Sequence, residues 1–138
     1  MQQFLTPVLA LIIWTFVMWT LMYVRRIPAM NKISKDPQKF IEDPALWEKM
    51  PASATNTADN YNHLHEQPVI FYALMFYLSL SGQGDNIYMY MAWAYVALRV
   101  VHSLVQVTSN KVMIRFSLFA IGSVLLIIMA LRAAAGLF

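Results

Sequence analysis

The chain has 138 residues, 59% of them hydrophobic and 12% charged. Soluble domains carry about 25% charged residues, so the composition excludes an ordinary soluble globule and fits a single membrane domain. There is no cysteine, hence no disulfide, no protein thiolate nucleophile and no cysteine metal site. The net charge of +3 comes from basic residues that flank apolar runs rather than line a stripe, which argues against nucleic-acid binding.

The first predicted span, about 5–24, is free of charge and long enough to cross a bilayer, which takes about 20 residues. No basic segment precedes it, no small-residue cleavage site follows it, and Arg25-Arg26 come next. It reads as a retained anchor, not a removed signal. Trp14 and Trp19 read as packing residues. A polar connection, 25–59, follows. Asp36-Pro37 and Asp43-Pro44 each look like a helix cap followed by proline at the first helical position. One or two short helices are expected there, with Phe40, Ile41, Leu46, Trp47 and Met50 on an apolar side. That side packs on the membrane surface or the bundle, or forms a lid over a site. Pro51 to Asp59 reads as loop.

The second span is predicted over about 60–80. Its apolar part, from Pro68, is too short to cross alone, so the helix must include the polar stretch Asn60-Tyr61-Asn62-His63-Leu64-His65-Glu66-Gln67. Pro68 removes one backbone hydrogen bond, which predicts a kink or a water. Ser81 to Asn86 is a tight turn. The third span, about 87–107, is apolar except at Arg99, His102 and Gln106. A short connection with Asn110 and Lys111 leads to Arg115, which opens the fourth span, about 115–135. Arg132 near its far end reaches the interface by snorkelling and has no catalytic role.

Lysines and arginines set the topology. The 25–59 connection holds Arg25, Arg26, Lys32, Lys35, Lys39 and Lys49, and the connection between spans three and four holds Lys111. The 81–86 turn has none. Basic residues mark the cytoplasmic side, so both termini face away from the cytoplasm.

The polar residues then meet at one depth. Glu66 lies about 9 Å in from Asn60, and Arg99 about 12 Å in from Val107, at 1.5 Å per residue. Arg115 starts span four on the same side. His63 and Glu66 are spaced i, i+3, and Asn62 and Glu66 i, i+4, so they share a helix face, while His65 points elsewhere. Arg99, His102 and Gln106 form another face. Ionisable groups at membrane depth are costly unless paired, so Glu66 and Arg99 are expected to pair within a protomer or across an interface. Two readings stay open: a structural polar network that fixes register and oligomer state, or a functional site. A metal site of His63, Glu66 and His102 would need ligands from two helices, and no tight ligand motif supports it.

Four spans, the Asn60-Tyr61 … Glu66-x-Pro68 segment and Arg99-x-x-His102 followed by Arg115 resemble the MAPEG family. These are the membrane-associated proteins in eicosanoid and glutathione metabolism, which include the microsomal glutathione transferases. The resemblance spans nearly the whole chain. It implies an all-α integral membrane four-helix bundle that assembles as a homotrimer, with a site between neighbouring protomers on the cytoplasmic side. It also implies a transferase or peroxidase that activates glutathione, or another small thiol, toward a lipophilic electrophile. Arg115 matches the arginine that stabilises the glutathione thiolate. Glu66 and Arg99 match the glutamate of span two and the arginine of span three. Asn60, Asn62, His63, His102 and Gln106, read from their place on the two polar helix faces, join Glu66 and Arg99 as candidate ligand-binding residues. Three positions depart from the transferases: His63 stands for an asparagine, Asp59 for an arginine and Gln106 for a tyrosine. These departures resemble the bacterial-type members and imply a bacterial inner membrane. The alternative reading is a non-enzymatic accessory or lipid-binding subunit of a larger complex. Implied partners are membrane lipid, further copies of the chain and a lipophilic small molecule, with no nucleic acid.

Overall fold

A computed structural model describes residues 2–137, all helix and connection, with no strand among them. A short 3-10 turn, Gln2–Leu5, leads into α1 (Thr6–Ile33). Then come α2 (Lys39–Glu42), a second 3-10 turn (Pro44–Lys49), α3 (Ala52–His63), α4 (Gln67–Leu80), α5 (Asn86–Val107) and α6 (Val112–Ala135). Among the described residues two helices are long and apolar enough to cross a membrane, Gln3–Ile33 and Val112–Ala135.

α5 packs along α6 and against α1 and α3; α1 lies on α3, and α4 touches α6 and the N-terminal turn. Leu11, Phe71, Met75, Ala92, Tyr95 and Met129 are fully buried where these helices meet. The outward faces are apolar as well. On α6, Phe116, Ile127 and Leu131 are each more than half exposed. A continuous apolar exterior is unfavourable in water and suits lipid.

Polar links fix the packing inside. Tyr95 Oη donates to Gln67 Oε1 at 3.1 Å, and Gln67 Nε2 donates to Ser123 Oγ at 2.5 Å, which ties α4, α5 and α6 together. Gly122 packs beside this network: a Cβ there would sit in ordinary contact, 3.4 Å from the Tyr95 ring and 3.7 Å from Gln67 Oε1. At the far end Arg132 donates to both carboxylate oxygens of Asp85, in the α4–α5 turn, at 3.0 and 2.5 Å. The guanidinium expected to snorkel has a protein partner instead.

Three segments differ from the sequence expectation. α1 runs past Val24 to Ile33, through Pro28. The stretch from Ala52 to Asp59 is helix rather than loop. The second span is two helices: α3 ends at His63 and α4 begins at Gln67, with Glu66 at φ −96°, ψ −98° between them. The reason is Pro68. Its ring clashes with the carbonyl four residues back, that of Leu64, and it has no N–H to donate. It sits in the first turn of α4, where both features cost least. The chain therefore stops and restarts where a kink was expected.

The connection after α1 forms its own small core of Phe40, Met50, Ala54 and Ala29. Asp43 Oδ1 accepts from the Ala45 N–H at 3.1 Å, as the Asp-Pro pattern predicts for a cap. Trp47 packs on Phe40, donates Nε1–H to the Phe40 carbonyl, and holds the Arg26 guanidinium over its ring at 4.8 Å.

Candidate functional site

The helix break builds the site. With α3 ended at His63, its last carbonyls lose their helical partners. Arg99, from the middle of α5, fills one of these gaps: Nη2–H donates to the His63 carbonyl at 3.0 Å. Arg99 itself is 2% exposed. His63 then turns its ring toward Glu66, with Nδ1 3.1 Å from Oε2. It also lies edge-on to His102, one turn along α5 from Arg99, with ring centroids 6.3 Å apart.

Arg115 comes from α6. Its position depends on Asn110, which holds the α5–α6 connection in a left-handed conformation at φ 48°. The Asn110 N–H donates to the Val105 carbonyl at 2.7 Å. Its side chain accepts from Arg115 Nη1 at 2.6 Å and donates to Asn56 Oδ1 at 3.1 Å. One residue thus ties the end of α5, the start of α6 and the middle of α3 together.

Between these groups lies a cleft of about 300 Å³ lined by His63, Glu66, Arg99, His102, Val112, Arg115, Phe116 and Phe119. Two guanidiniums face one carboxylate, so the cleft is cationic and suits an anion. Arg99 Nε, Arg115 Nε and His102 Nδ1 are buried without a protein partner. Buried polar atoms are normally satisfied, so the two guanidinium N–H donors and the imidazole nitrogen are available to something that enters. The other wall is apolar, a stripe on α6 at Val112, Phe116 and Phe119. A larger hollow of about 340 Å³ lies at the opposite end, near Phe4, Gly84 and Asp85, with no basic side chain.

The structure therefore brings together His63, Glu66, Arg99, His102 and Arg115. It does not bring Asn60, Asn62 or Gln106 into this cleft. Asn60 and Gln106 are buried and do not line it; Asn60 Nδ2 and Oδ1 and Gln106 Oε1 lack a partner. Asn62 lies on a separate hollow with Arg26, Trp47 and Asp59. The i, i+4 spacing of Asn62 and Glu66 places them on one face only in a continuous helix, and the break removes that continuity. Glu66 pairs within the chain with His63 rather than Arg99, and its side chain is 61% exposed. The connection that follows α1 lines the Asn62 hollow and not the Arg115 cleft. Among the described residues no three His, Asp or Glu side chains form a metal-binding group. Sequence reasoning missed Asn110, Val112, Phe116 and Phe119. The last three are legible as an i, i+4, i+7 stripe, flanking Arg115 on α6. Asn110 gives no such signal beyond its tolerance of left-handed backbone.

The model of the MAPEG family matches residues 4–135, nearly the whole chain. No curated protein and no solved structure matches it.

Proposed function

The chain belongs to the MAPEG family, membrane proteins of eicosanoid and glutathione metabolism, and from that premise we propose that it activates a small thiol, glutathione being the first candidate, for attack on a lipophilic electrophile. The observation that supports this is Arg115: a half-buried guanidinium held by Asn110, with its Nε unpartnered, beside an apolar wall. A guanidinium stays protonated and stabilises a thiolate, which lowers the thiol pKa. The protein needs no cysteine because the substrate supplies the sulfur. The thiol loses its proton to solvent, the thiolate forms the sulfur–carbon bond, and the displaced group leaves with the bonding pair. His63, Glu66, Arg99 and His102 hold the polar part of the thiol, with Glu66 able to accept from an ammonium. Val112, Phe116 and Phe119 face the electrophile. Asn62 joins only where a neighbouring copy presents its hollow.

In this reading the chain is a four-span bundle that assembles as a homotrimer in a bacterial inner membrane. Both termini face away from the cytoplasm and the Arg115 cleft opens on the cytoplasmic side. The basic residues of the connection after α1 support the orientation.

The test is the thiolate absorbance that appears when glutathione is added to purified protein. Arg115→Ala should abolish it, and an undiminished signal refutes the assignment. If the unsubstituted protein gives no signal with any small thiol, the accessory or lipid-binding reading replaces this one.

A further inference from the structure

A second cleft, of about 300 Å³, lies where α1 leaves its apolar stretch, and it is lined by Arg25, Lys32, Lys49, Pro51 and Ser53 over a floor of Pro28 and Ala29. We infer that it binds the phosphate group of an anionic phospholipid headgroup. Arg25, Ala29 and Lys32 are spaced i, i+4, i+7 on α1, so they share one face. Lys49 reaches the cleft from the end of the second 3-10 turn, and Pro51 and Ser53 belong to the start of α3.

Charge separates this cleft from the others. It gathers three cations and no acid. The other clefts that hold an arginine also hold a carboxylate, Glu66 in one and Asp59 in the other. Among the described residues the ion pairs are His63–Glu66 and Arg132–Asp85, so none of the three cations has a carboxylate partner. Glu48, beside Lys49 in sequence, does not line the cleft. No side chain caps the start of α3, whose positive dipole end adds to the field.

Geometry adds to charge. Arg25 is fixed in place, with Nη1 donating to Thr57 Oγ1 at 3.2 Å and to the Val107 carbonyl at 3.0 Å. It is a rigid anchor between two exposed lysines that can close on a ligand. Arg25 and Pro28 lie about 1.5 and 6 Å beyond Val24 along the helix at 1.5 Å per residue, within a headgroup layer of about 5–7 Å, and Lys32, about 12 Å beyond, reaches back toward it along its side chain. The topology rule explains why basic residues lie on this side of the membrane. It does not explain why three of them converge on one proline-floored hollow. Basic pockets between membrane helices are the recognised chemistry for anionic headgroups.

The experiment uses the purified full chain in a zwitterionic detergent. Its thermal midpoint is followed while short-chain phosphatidylglycerol, short-chain phosphatidylcholine or inorganic phosphate is added. Phosphatidylglycerol should raise the midpoint saturably and phosphatidylcholine should not. In Lys32→Gln/Lys49→Gln the half-saturating concentration should rise roughly 30-fold, from roughly fivefold per lysine. Lys35→Gln, an exposed lysine outside the cleft, should leave it unchanged. If inorganic phosphate alone gives the same lysine-dependent rise, the phosphate chemistry stands and the ligand is soluble. Equal stabilisation by the two lipids, or a double variant with the original half-saturation, overturns the inference. Should the double variant prove unstable without lipid, Lys49→Gln alone is read for its fivefold change.

Discussion

Asn110 provides the sharpest test of how the cleft is assembled, because two substitutions separate its backbone from its side chain. Glycine accepts φ 48° without strain; alanine does not. Both remove the side-chain bonds to Arg115 and Asn56. Losing one bond from a charged donor and one neutral bond, both part-buried, should cost about 2 kcal/mol in either variant. Alanine adds about 1–2 kcal/mol for a left-handed residue. Glycine gives back about 0.5–1 kcal/mol through the extra freedom of the unfolded chain. Asn110→Ala should therefore be about 1 kcal/mol less stable than Asn110→Gly. The measurement is unfolding in mixed micelles, read by circular dichroism across a denaturing-detergent titration. The functional readout should not follow this order. Both variants release Arg115, so both should lose the glutathione thiolate signal to the same degree. Two results would refute the reasoning: equal stability of the two variants, or a full thiolate signal in either.

Two further outcomes follow from the packing and the polar end. Gly122→Ala should be neutral or stabilising by up to about 1 kcal/mol, since the added Cβ meets only ordinary contacts and alanine is the better helix former. Gly122→Val should cost about 1–3 kcal/mol by forcing Tyr95 away from Gln67, and the same unfolding titration separates the pair. Hydrogen bonding from Arg132, and then from the Tyr88 N–H, holds the Asp85 carboxyl down at about 2 against an ordinary 3.8. A lowered folded-state value means that its contribution to stability is complete above pH 3.8 and fades as pH falls through about 2. Carboxyl carbon NMR should show the Asp85 midpoint moving up toward 3.8 in Arg132→Gln, short of it because the Tyr88 N–H bond remains, and an unchanged midpoint would contradict the pairing.

Hydropathy and spacing alone determine a good deal. The apolar runs make the protein an α-helical membrane chain, and the third helix, expected over 87–107, is observed over Asn86–Val107. Arg99 and His102 share a face because their spacing is fixed within one unbroken helix, and both line the cleft. Arg115 reaches the same cleft because a short connection returns α6 to the end that α5 has just reached.

The tertiary structure decides what happens around Pro68. A proline requires that one backbone bond be lost, but a kinked helix and a broken one satisfy that requirement equally in sequence. The break becomes stable because Arg99, thirty-six residues away in sequence, supplies a donor for the His63 carbonyl. Once α3 and α4 are separate, positions counted along a single helix no longer share a face. Glu66 still meets His63, as their i, i+3 spacing predicts, but Asn62 turns to another hollow. Spacing predicts neighbours only as far as the backbone stays regular. Beyond a break, side-chain direction depends on contacts between residues distant in the chain.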